Sequence, residues 1–352
     1  MRFVTVAADV GRFMGWPANH GAWQWGNELL VGFLTGPYNE GYGMHYIAPP
    51  FQKLHARSFD GGETWTREVP NVEFTGGDMA IDPPFFDLNN PDTIIRVCGR
   101  YDTGGDDCRQ MGAFYLSCDR GRSWLGPYAF KGLEALFGGA NHCTARTRVH
   151  NGRVYLSAAR KNRWGTDWVF SAHYTGESFI FDPDSDVVLL DQYRAVMPAV
   201  AQIEDQHSRT YTFAALRRKG GGMNWIDLVV KVGDGPWRLM AQPDERAGIA
   251  STGGHNGNPP ALAAFGKRLV LAYANRSSKL MLLKYSDDLG ATWSPEIKLT
   301  HPSCSDIGYP QMFVREDGLG ICVYYFSATG DKYNPQHIRG TIFDPTLLKD
   351  YT

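Results

Sequence analysis

Four arginines lie at a similar place in a repeated strand pattern and could together bind an anion. Residues that recur at broadly regular intervals along the chain are called anchors below. Each arginine lies 16 or 19 positions after one of them: Arg100, Arg160, Arg217 and Arg276. Guanidinium groups at equivalent strand ends should point into one region, where they repel each other unless an anion lies among them. A carboxylate is their natural partner, because it accepts two parallel hydrogen bonds from the guanidinium fork. The alternative is that each arginine pairs with a neighbouring Asp or Glu, or lies in solvent.

Imidazole and phenol groups near the same strands could transfer protons or attack a substrate. Three histidines precede inner-strand patterns, a fourth lies in a glycine-rich loop, and a tyrosine lies in the last repeat: His20, His142, His255, His45 and Tyr309. The histidines could instead hydrogen-bond the loops, and Tyr309 could pack between sheets. No close His-x-His or Cys-x-x-Cys pair is present, so we expect neither a metal nor another cofactor. Three tryptophans could stack on sugars or fill space between sheets: Trp16, Trp164 and Trp168.

A turn motif that recurs three times indicates which elements position these residues. Residues 58–65, 117–124 and 286–293 share the pattern Ser-x-Asp-x-Gly-x-Thr/Ser-Trp, and each follows a strand-like run. We expect the aspartate to accept hydrogen bonds from the amides of the turn and the glycine to adopt a positive φ. The tryptophan should pack back under the turn.

A second, longer repeat covers the whole sequence and predicts the fold. Six anchors recur at broadly regular intervals, and each is expected to open a strand: Pro17, Pro84, Thr144, Pro198, Pro260 and Pro310. Each unit contains about four strand-like runs, as in a propeller blade. We therefore predict an all-β fold, a six-bladed β-propeller forming a single domain over residues 1–352, with seven blades as the alternative. Residues 3–8 should supply the outer strand that the last unit lacks.

The three turns resemble the Asp-box, or BNR repeat, of sialidases and other propellers, in which the repeat is structural. That resemblance implies an arginine-lined carboxylate site in which Arg217 and Arg276 match the second and third arginines and Tyr309 the nucleophile. The sequence departs from the pattern in blade one, where residues 15–18 (Gly-Trp-Pro-Ala) replace the first arginine. The loop before the first turn offers His45 and no aspartate, and residues 197–202 contain no glutamate to activate the tyrosine.

The segment 15–23 (Gly-Trp-Pro-Ala-Asn-His-Gly-Ala-Trp) is similar to a second group of propellers, enzymes that remove rhamnose from glucuronate. That resemblance implies that His20 is essential for catalysis. Related propeller lyases acting on uronate polysaccharides also combine His, Tyr and Arg. All three resemblances imply an anionic sugar.

Composition narrows the partners and the location. The net charge of −2 creates no basic field, so we expect no nucleic-acid partner, and no apolar run approaches the length of a membrane span. The six cysteines lack metal-ligand spacing and fit buried free thiols in a reducing compartment. The first residues contain no signal-peptide core, so the cytoplasm is the default location; a secreted or periplasmic protein is the alternative if a signal was removed.

These observations favour an enzyme, a sialidase-like exo-glycosidase acting on a terminal acidic sugar or the adjacent bond. Arg217 and Arg276, helped by Arg160 and Arg100, would bind the sugar carboxylate, and His142 and His255 are further candidates for substrate binding. Tyr309 would stabilise or attack the anomeric carbon, while His45 or His20 moves the proton. The alternatives are a uronate-directed lyase, in which the arginines acidify the α-proton, and a glycan-binding propeller without catalytic activity.

Overall fold

The fold is known from a computed structural model, which describes residues 1–42, 45–74, 81–98, 113–133, 148–150, 152–159, 167–182, 194–220, 222–240, 248–254, 256–327 and 335–351. Strand makes up 52% of the chain and helix 4%, so the fold class is all-β as predicted. In the part that is described, no helix is both long enough and apolar enough to cross a lipid bilayer.

The strands are short and follow one another closely along the chain. In order they are β1 (Arg2–Ala7), β2 (Arg12–Gly15), β3 (Ala22–Trp25), β4 (Glu28–Pro37), β5 (Gln52–Ser58), β6 (Thr66–Glu68), β7 (Ile94–Cys98), β8 (Ala113–Ser117), β9 (Leu125–Ala129), β10 (Arg148–His150), β11 (Arg153–Ala159), β12 (Asp167–Tyr174), β13 (Phe179–Phe181), β14 (Arg194–Glu204), β15 (Thr210–Gly220), β16 (Met223–Val232), β17 (Arg238–Leu239), β18 (Ala250–Ser251), β19 (Ala261–Phe265), β20 (Arg268–Asn275), β21 (Leu280–Ser286), β22 (Ile297–Lys298), β23 (Gly308–Val314), β24 (Gly320–Phe326) and β25 (His337–Phe343). Two 3-10 helices cover Pro17–Asn19 and Pro345–Tyr351.

Among the described residues these strands form six antiparallel sheets, the blades of a six-bladed β-propeller. The strand orders are β2-β4-β5-β6 with β3 beside β4, β7-β8-β9, β10-β11-β12-β13, β14-β15-β16-β17 with β18 beside β16, β19-β20-β21-β22, and β1-β25-β24-β23. Each blade is largely a meander, because short turns join strands that are neighbours in sequence. The prediction of six blades is confirmed.

The chain divides into two compact units. One comprises Met1–Glu68, Ala199–Asp234 and Arg238–Thr352, and the other comprises Val69–Pro198 and Gly235–Trp237. The first unit, called unit 1 below, contains every site residue described in the next section. The single domain inferred from the sequence stays a prediction.

The first strand completes the last blade, as the sequence predicted. β1 pairs antiparallel with β25, in a register that places Arg2 opposite Ile342 and Ala7 opposite Ile338. The core of unit 1 continues from this blade into the next, where Phe13 and Val31 are buried in the same apolar cluster as Ile321. Burial of these side chains removes apolar surface from water and stabilises the blade pair.

The anchor residues occupy less uniform positions than the sequence suggested. Pro260 directly precedes β19, but Pro198 and Pro310 lie inside β14 and β23. The expectation that Pro17 opens a strand is wrong, because it begins a 3-10 helix instead. Proline suits that position, since its fixed φ matches the helix and the missing N–H is not needed there. Thr144 lies outside the described residues.

The three Ser-x-Asp-x-Gly-x-Thr/Ser-Trp turns have the hydrogen bonds that the sequence predicted. In the first, Asp60 Oδ1 accepts from the amides of Glu63 at 3.0 Å and Thr64 at 2.9 Å. Gly62 has φ +92°, and Trp65 donates its indole N–H to the Gly62 carbonyl at 2.9 Å. Burial works to raise the pKa of Asp60, but the hydrogen bonds from Thr64 and its neighbours outweigh it and lower the pKa to about 2.

Candidate functional site

Strand ends and loops of unit 1 bring together a cluster of polar and aromatic side chains. Arg217 lies in β15 and Arg276 directly follows β20. The segment that enters β23 supplies Asp306 and Tyr309, and the end of β24 supplies Tyr325. His45 comes from the loop between β4 and β5. Loop and strand-end positions are typical of functional residues, because the sheets hold the backbone while the side chains can contact a ligand.

The Asp306 carboxylate is the shared partner of three other members of the cluster. Its Oδ1 accepts hydrogen bonds from the Tyr325 hydroxyl at 2.5 Å and from Arg276 Nη2 at 3.3 Å. Its Oδ2 lies 2.8 Å from His45 Nδ1. The carboxylate thus binds a phenol, a guanidinium and an imidazole at once, and it fixes their positions relative to one another.

The pairing with Asp306 determines which nitrogen of His45 faces a ligand. An ionised carboxylate only accepts hydrogen bonds, so the His45 Nδ1 must carry the proton and Nε2 remains to accept or donate another. The His45 side chain is 36% exposed, against 13% for Asp306. Trp16 holds the other side of the imidazole, with ring centroids 5.1 Å apart and planes nearly perpendicular at 86°. His45 is therefore an oriented and accessible proton-transfer group.

Arg276 is buried and already bound by the protein's own groups. Its Nη2 also donates to the Tyr325 hydroxyl at 3.0 Å. Burial works to lower the pKa of Arg276, but Tyr325, Tyr309 and Asp306 more than offset it, so the pKa is raised and the charge is retained. The sequence-based alternative, that a neighbouring acid pairs with the arginine, thus holds for Arg276.

Arg217 lies near the same tyrosine but makes a different contact. It is 5% exposed and donates to the backbone carbonyl of Asn256. The guanidinium carbons of Arg217 and Arg276 lie 6.0 Å and 5.9 Å from the ring centroid of Tyr309. The structure therefore brings two of the four predicted arginines together around the predicted tyrosine.

The backbone of Tyr309 is held in an uncommon conformation. Its φ is +51°, and its amide donates to Asn258 Oδ1 at 2.9 Å. Asn258 is fully buried and donates in turn to the Ile307 carbonyl at 2.8 Å. Gly308, with φ +112°, lies so close that a Cβ there would come within 2.3 Å of Asn258 Oδ1. The buried asparagine and the glycine together fix where the Tyr309 ring points.

Tyr325, which the sequence did not single out, makes the hydroxyl–carboxylate contact that a tyrosine nucleophile needs. It is fully buried, and burial, together with the neighbouring Asp306, raises its pKa well above the ordinary value. Its burial excludes it from attack on a substrate. Tyr309 packs edge-on against Tyr325, with centroids 5.9 Å apart, and is half-buried.

The remaining predicted residues are one buried histidine and several that lie outside the described part of the chain. His20 ends the 3-10 helix, is 4% exposed and is less accessible than His45. The predicted site residues outside the described part of the chain are Arg100, Arg160, His142, His255 and Trp164. Within the described ranges, no group of three or more His, Cys, Asp or Glu side chains is arranged to hold a metal ion.

Asp306 is the main residue that sequence reasoning missed. Neither a repeat nor a spacing rule marks it, since it lies in the loop between β22 and β23. The available signal was its position just before Tyr309 in the same segment. That proximity marks the carboxylate as a site candidate, although the phenol that it binds is that of Tyr325.

The six-bladed β-propeller fold, which the resemblance to sialidase-like propellers implied, is shared with solved structures of low sequence identity. A protein of unknown function from Dyadobacter fermentans is 20% identical, with 97% of each chain covered and a TM-score of 0.68. The α-L-arabinofuranosidase Arb93A from Fusarium graminearum, in complex with an iminosugar inhibitor, is 12% identical over 96% of this chain and 98% of its own, with a TM-score of 0.57. The Hadza microbial sialidase Hz136 is 13% identical over 96% of this chain and 66% of its own, with a TM-score of 0.61.

At these identities the likeness extends to the fold alone. No protein-family model matches the chain, and no curated protein matches its sequence.

Proposed function

We propose that this protein is a glycoside hydrolase of the propeller type that removes a terminal acidic sugar. The observation that carries the proposal is the His45–Asp306 pair, held at 2.8 Å and linked through Asp306 to Arg276. A proton-transfer group and an anion-binding group in one cluster are the two parts that such a reaction requires.

The proton-transfer step follows from the tautomer that Asp306 imposes. With Nδ1–H directed at the carboxylate, neutral His45 can take a proton at Nε2, and protonated His45 can give one to a leaving oxygen. Asp306 stabilises the imidazolium form while it exists, and it keeps the ring oriented. It acts through His45 and is a positioning residue in this scheme.

Charge favours an anionic substrate, but less strongly than the full set of four arginines would. Counting Arg217 and Arg276 as cations and Asp306 as a carboxylate leaves one positive charge, and protonation of His45 adds a second. Arg276 shares its guanidinium with Asp306, so we assign the larger part of a substrate carboxylate to Arg217. Tyr309, near both guanidinium groups, would then contact the anomeric carbon.

The proteins of similar fold support a carbohydrate substrate for this chain, but they differ in whether their own substrates carry a charge. Arb93A is an arabinofuranosidase and Hz136 is a sialidase. Arabinose is a neutral sugar, whereas sialic acid carries a carboxylate. The arginines around Tyr309 favour the second kind of substrate for this chain.

The test is hydrolysis of 4-methylumbelliferyl glycosides of N-acetylneuraminic acid, glucuronic acid, galacturonic acid and arabinofuranose. We expect release of the fluorophore from at least one acidic glycoside. We also expect His45→Asn to abolish it, while His207→Asn, at an exposed histidine, retains it. The proposal fails if only arabinofuranoside is cleaved, if no glycoside is cleaved, or if His45→Asn remains fully active.

A parallel measurement separates hydrolysis from the lyase alternative. β-Elimination from a uronate oligosaccharide produces an unsaturated sugar that absorbs ultraviolet light, and hydrolysis does not. An ultraviolet absorbance that rises with turnover would show that the protein is a lyase and not a hydrolase, with the same His45 as the base. Binding of acidic sugars without any turnover would identify a glycan-binding propeller.

A further inference from the structure

Nine of the described residues other than glycine have a positive φ, and three of them directly precede a proline. Trp16, Met197 and Tyr309 each directly precede a proline, and their φ angles are +56°, +53° and +51°. The left-handed region is uncommon for residues that carry a Cβ, and it suits bulky ones least of all. It recurs before three of the anchor prolines of the sequence repeat, Pro17, Pro198 and Pro310.

Backbone conformations of this kind persist where the surroundings fix them, and they are concentrated at functional sites. At Tyr309 the fixing group is the buried Asn258. At Trp16 it is the 3-10 helix that begins with Pro17, in which the Asn19 amide donates to the Trp16 carbonyl at 2.9 Å. The backbone that carries each aromatic ring is therefore held by hydrogen bonds within the protein.

The two rings are placed around one buried tyrosine of the cluster. Trp16 and Tyr309 lie 6.1 Å and 5.9 Å from the Tyr325 ring centroid. Trp16 also contacts the imidazole of His45, while Tyr309 lies next to Arg217 and Arg276. Trp16 thus lies beside His45, and Tyr309 lies beside the two arginines. Both aromatic rings are only half-buried.

We propose that Trp16 is a sugar-stacking residue that binds the apolar C–H face of the substrate ring and holds it against His45. This inference rests on the proposed function, and it names the surface that the sugar ring contacts there. Small-molecule sites combine aromatic walls with few polar groups, and an indole offers a large flat face at little loss of conformational freedom. Stacking fixes the plane of the sugar, so that its glycosidic oxygen faces the imidazole.

The competing role for Trp16 is packing alone. Its ring lies 4.9 Å from that of Phe13, which is fully buried, at an interplanar angle of 39°. A packing residue and a stacking residue respond differently to substitution. Leucine at position 16 keeps apolar volume but removes the flat face, and phenylalanine keeps a flat face of smaller area.

The experiment compares Trp16→Leu, Trp16→Phe and, as the packing control, Phe13→Leu. The substrate is the acidic glycoside that the wild-type enzyme cleaves, and the free acidic monosaccharide is titrated calorimetrically. We expect Trp16→Leu to raise KM and Kd roughly tenfold or more, the loss of one good aromatic contact. Trp16→Phe should stay within about threefold, and the shape of the pH–rate profile should not change, because His45 and Asp306 are intact. Phe13→Leu should lower the unfolding midpoint and leave Kd unchanged.

The outcomes separate the two proposals. If the wild type binds the acidic sugar and a folded Trp16→Leu variant binds it with the same Kd, the stacking role is overturned and the proposed function stays in place. A wild-type protein that neither binds nor cleaves any of the acidic sugars overturns the proposed function, and the stacking role with it. Loss of affinity in Phe13→Leu equal to that in Trp16→Leu would assign Trp16 to packing.

Discussion

Replacing Asp306 with asparagine tests whether this carboxylate organises the candidate site. The substitution keeps the shape of the side chain and removes one negative charge. It leaves the buried Arg276 without its ion-pair partner at 3.3 Å, and it replaces the charged acceptor of His45 and Tyr325 with a neutral amide.

The size of the effect can be estimated from these contacts. Breaking a fully buried ion pair costs about 3–5 kcal/mol, since it strands the remaining charge. Here the asparagine carbonyl can still accept one hydrogen bond, Tyr325 still accepts from Arg276, and Asp306 is 13% exposed. The loss then approaches that of a hydrogen bond to a charged group, so we expect a decrease in unfolding free energy of about 1.5–3 kcal/mol.

The substitution should reduce kcat more strongly than it reduces the unfolding free energy. Without the carboxylate, the imidazole loses its fixed tautomer, because a carboxamide can offer His45 either its oxygen or its N–H group. A general acid–base group contributes about 10²- to 10⁴-fold to rate, and we expect kcat to fall by a large part of that range. KM should change less, since Arg217 and Trp16 are untouched.

The assays are urea unfolding followed by tryptophan fluorescence and initial rates on the best acidic glycoside. Asp317→Asn is the matched control: it removes the same charge from a pair with Arg315 at 2.8 Å in which the aspartate is 47% exposed. Arg315 is only 11% exposed but keeps Glu63 as a second partner at 2.7 Å, so the loss should be about 1 kcal/mol or less and should leave kcat unchanged. If Asp306→Asn unfolds like this control and retains full kcat, then Asp306 does not organise the site.

Three further predictions follow from other contacts. Tyr325→Phe removes a hydroxyl that bridges Arg276 and Asp306, so urea unfolding should show a loss of about 1.5–3 kcal/mol; an unchanged midpoint would contradict the bridge. Gly308→Ala should reduce kcat as well as stability, because the new Cβ meets Asn258. Gly318→Ala is the control: this glycine has φ +82° and open space around it, so the substitution should cost only backbone strain of about 1–2 kcal/mol. Equal kcat values in the two variants would exclude displacement of Tyr309. The pKa of Asp60 is lower in the folded than in the unfolded state, so its contribution to folding stability is complete above about pH 4 and is lost as the pH falls towards about 2. Asp60→Asn should therefore make the unfolding free energy less dependent on pH in that window. A pH dependence equal to that of the wild type would refute this reasoning.

Much of the fold could be predicted because it is encoded in local patterns. The turns at 58–65, 117–124 and 286–293 are specified by their own residues, and the repeat of about four strand-like runs per unit predicted the six blades. The pairing of β1 with β25 followed from counting strands in the last unit. The error at Pro17 arose because proline suits both the start of a strand and the first position of a helix.

The site was less predictable, because its members meet through tertiary packing. The spacing pattern predicted that Arg217 and Arg276 converge, and the resemblance to sialidases implied that Tyr309 lies with them. Both arginines do lie about 6 Å from its ring. It could not reveal that Asp306 pairs with Arg276, since the two are distant in sequence and are positioned by different sheets. Nor could it reveal that His45, from a loop of another blade, completes the group.

The pairing of β1 with β25 has a consequence for how the protein is made. During synthesis, residues 2–7 leave the ribosome long before their hydrogen-bonding partner at residues 337–343. The blade that carries Tyr309 and Tyr325 therefore acquires its outermost strand only after residues 337–343 have been made. Until then β1 remains open to pairing with other nascent chains, and a chaperone that shields residues 2–7 would raise the yield of folded protein.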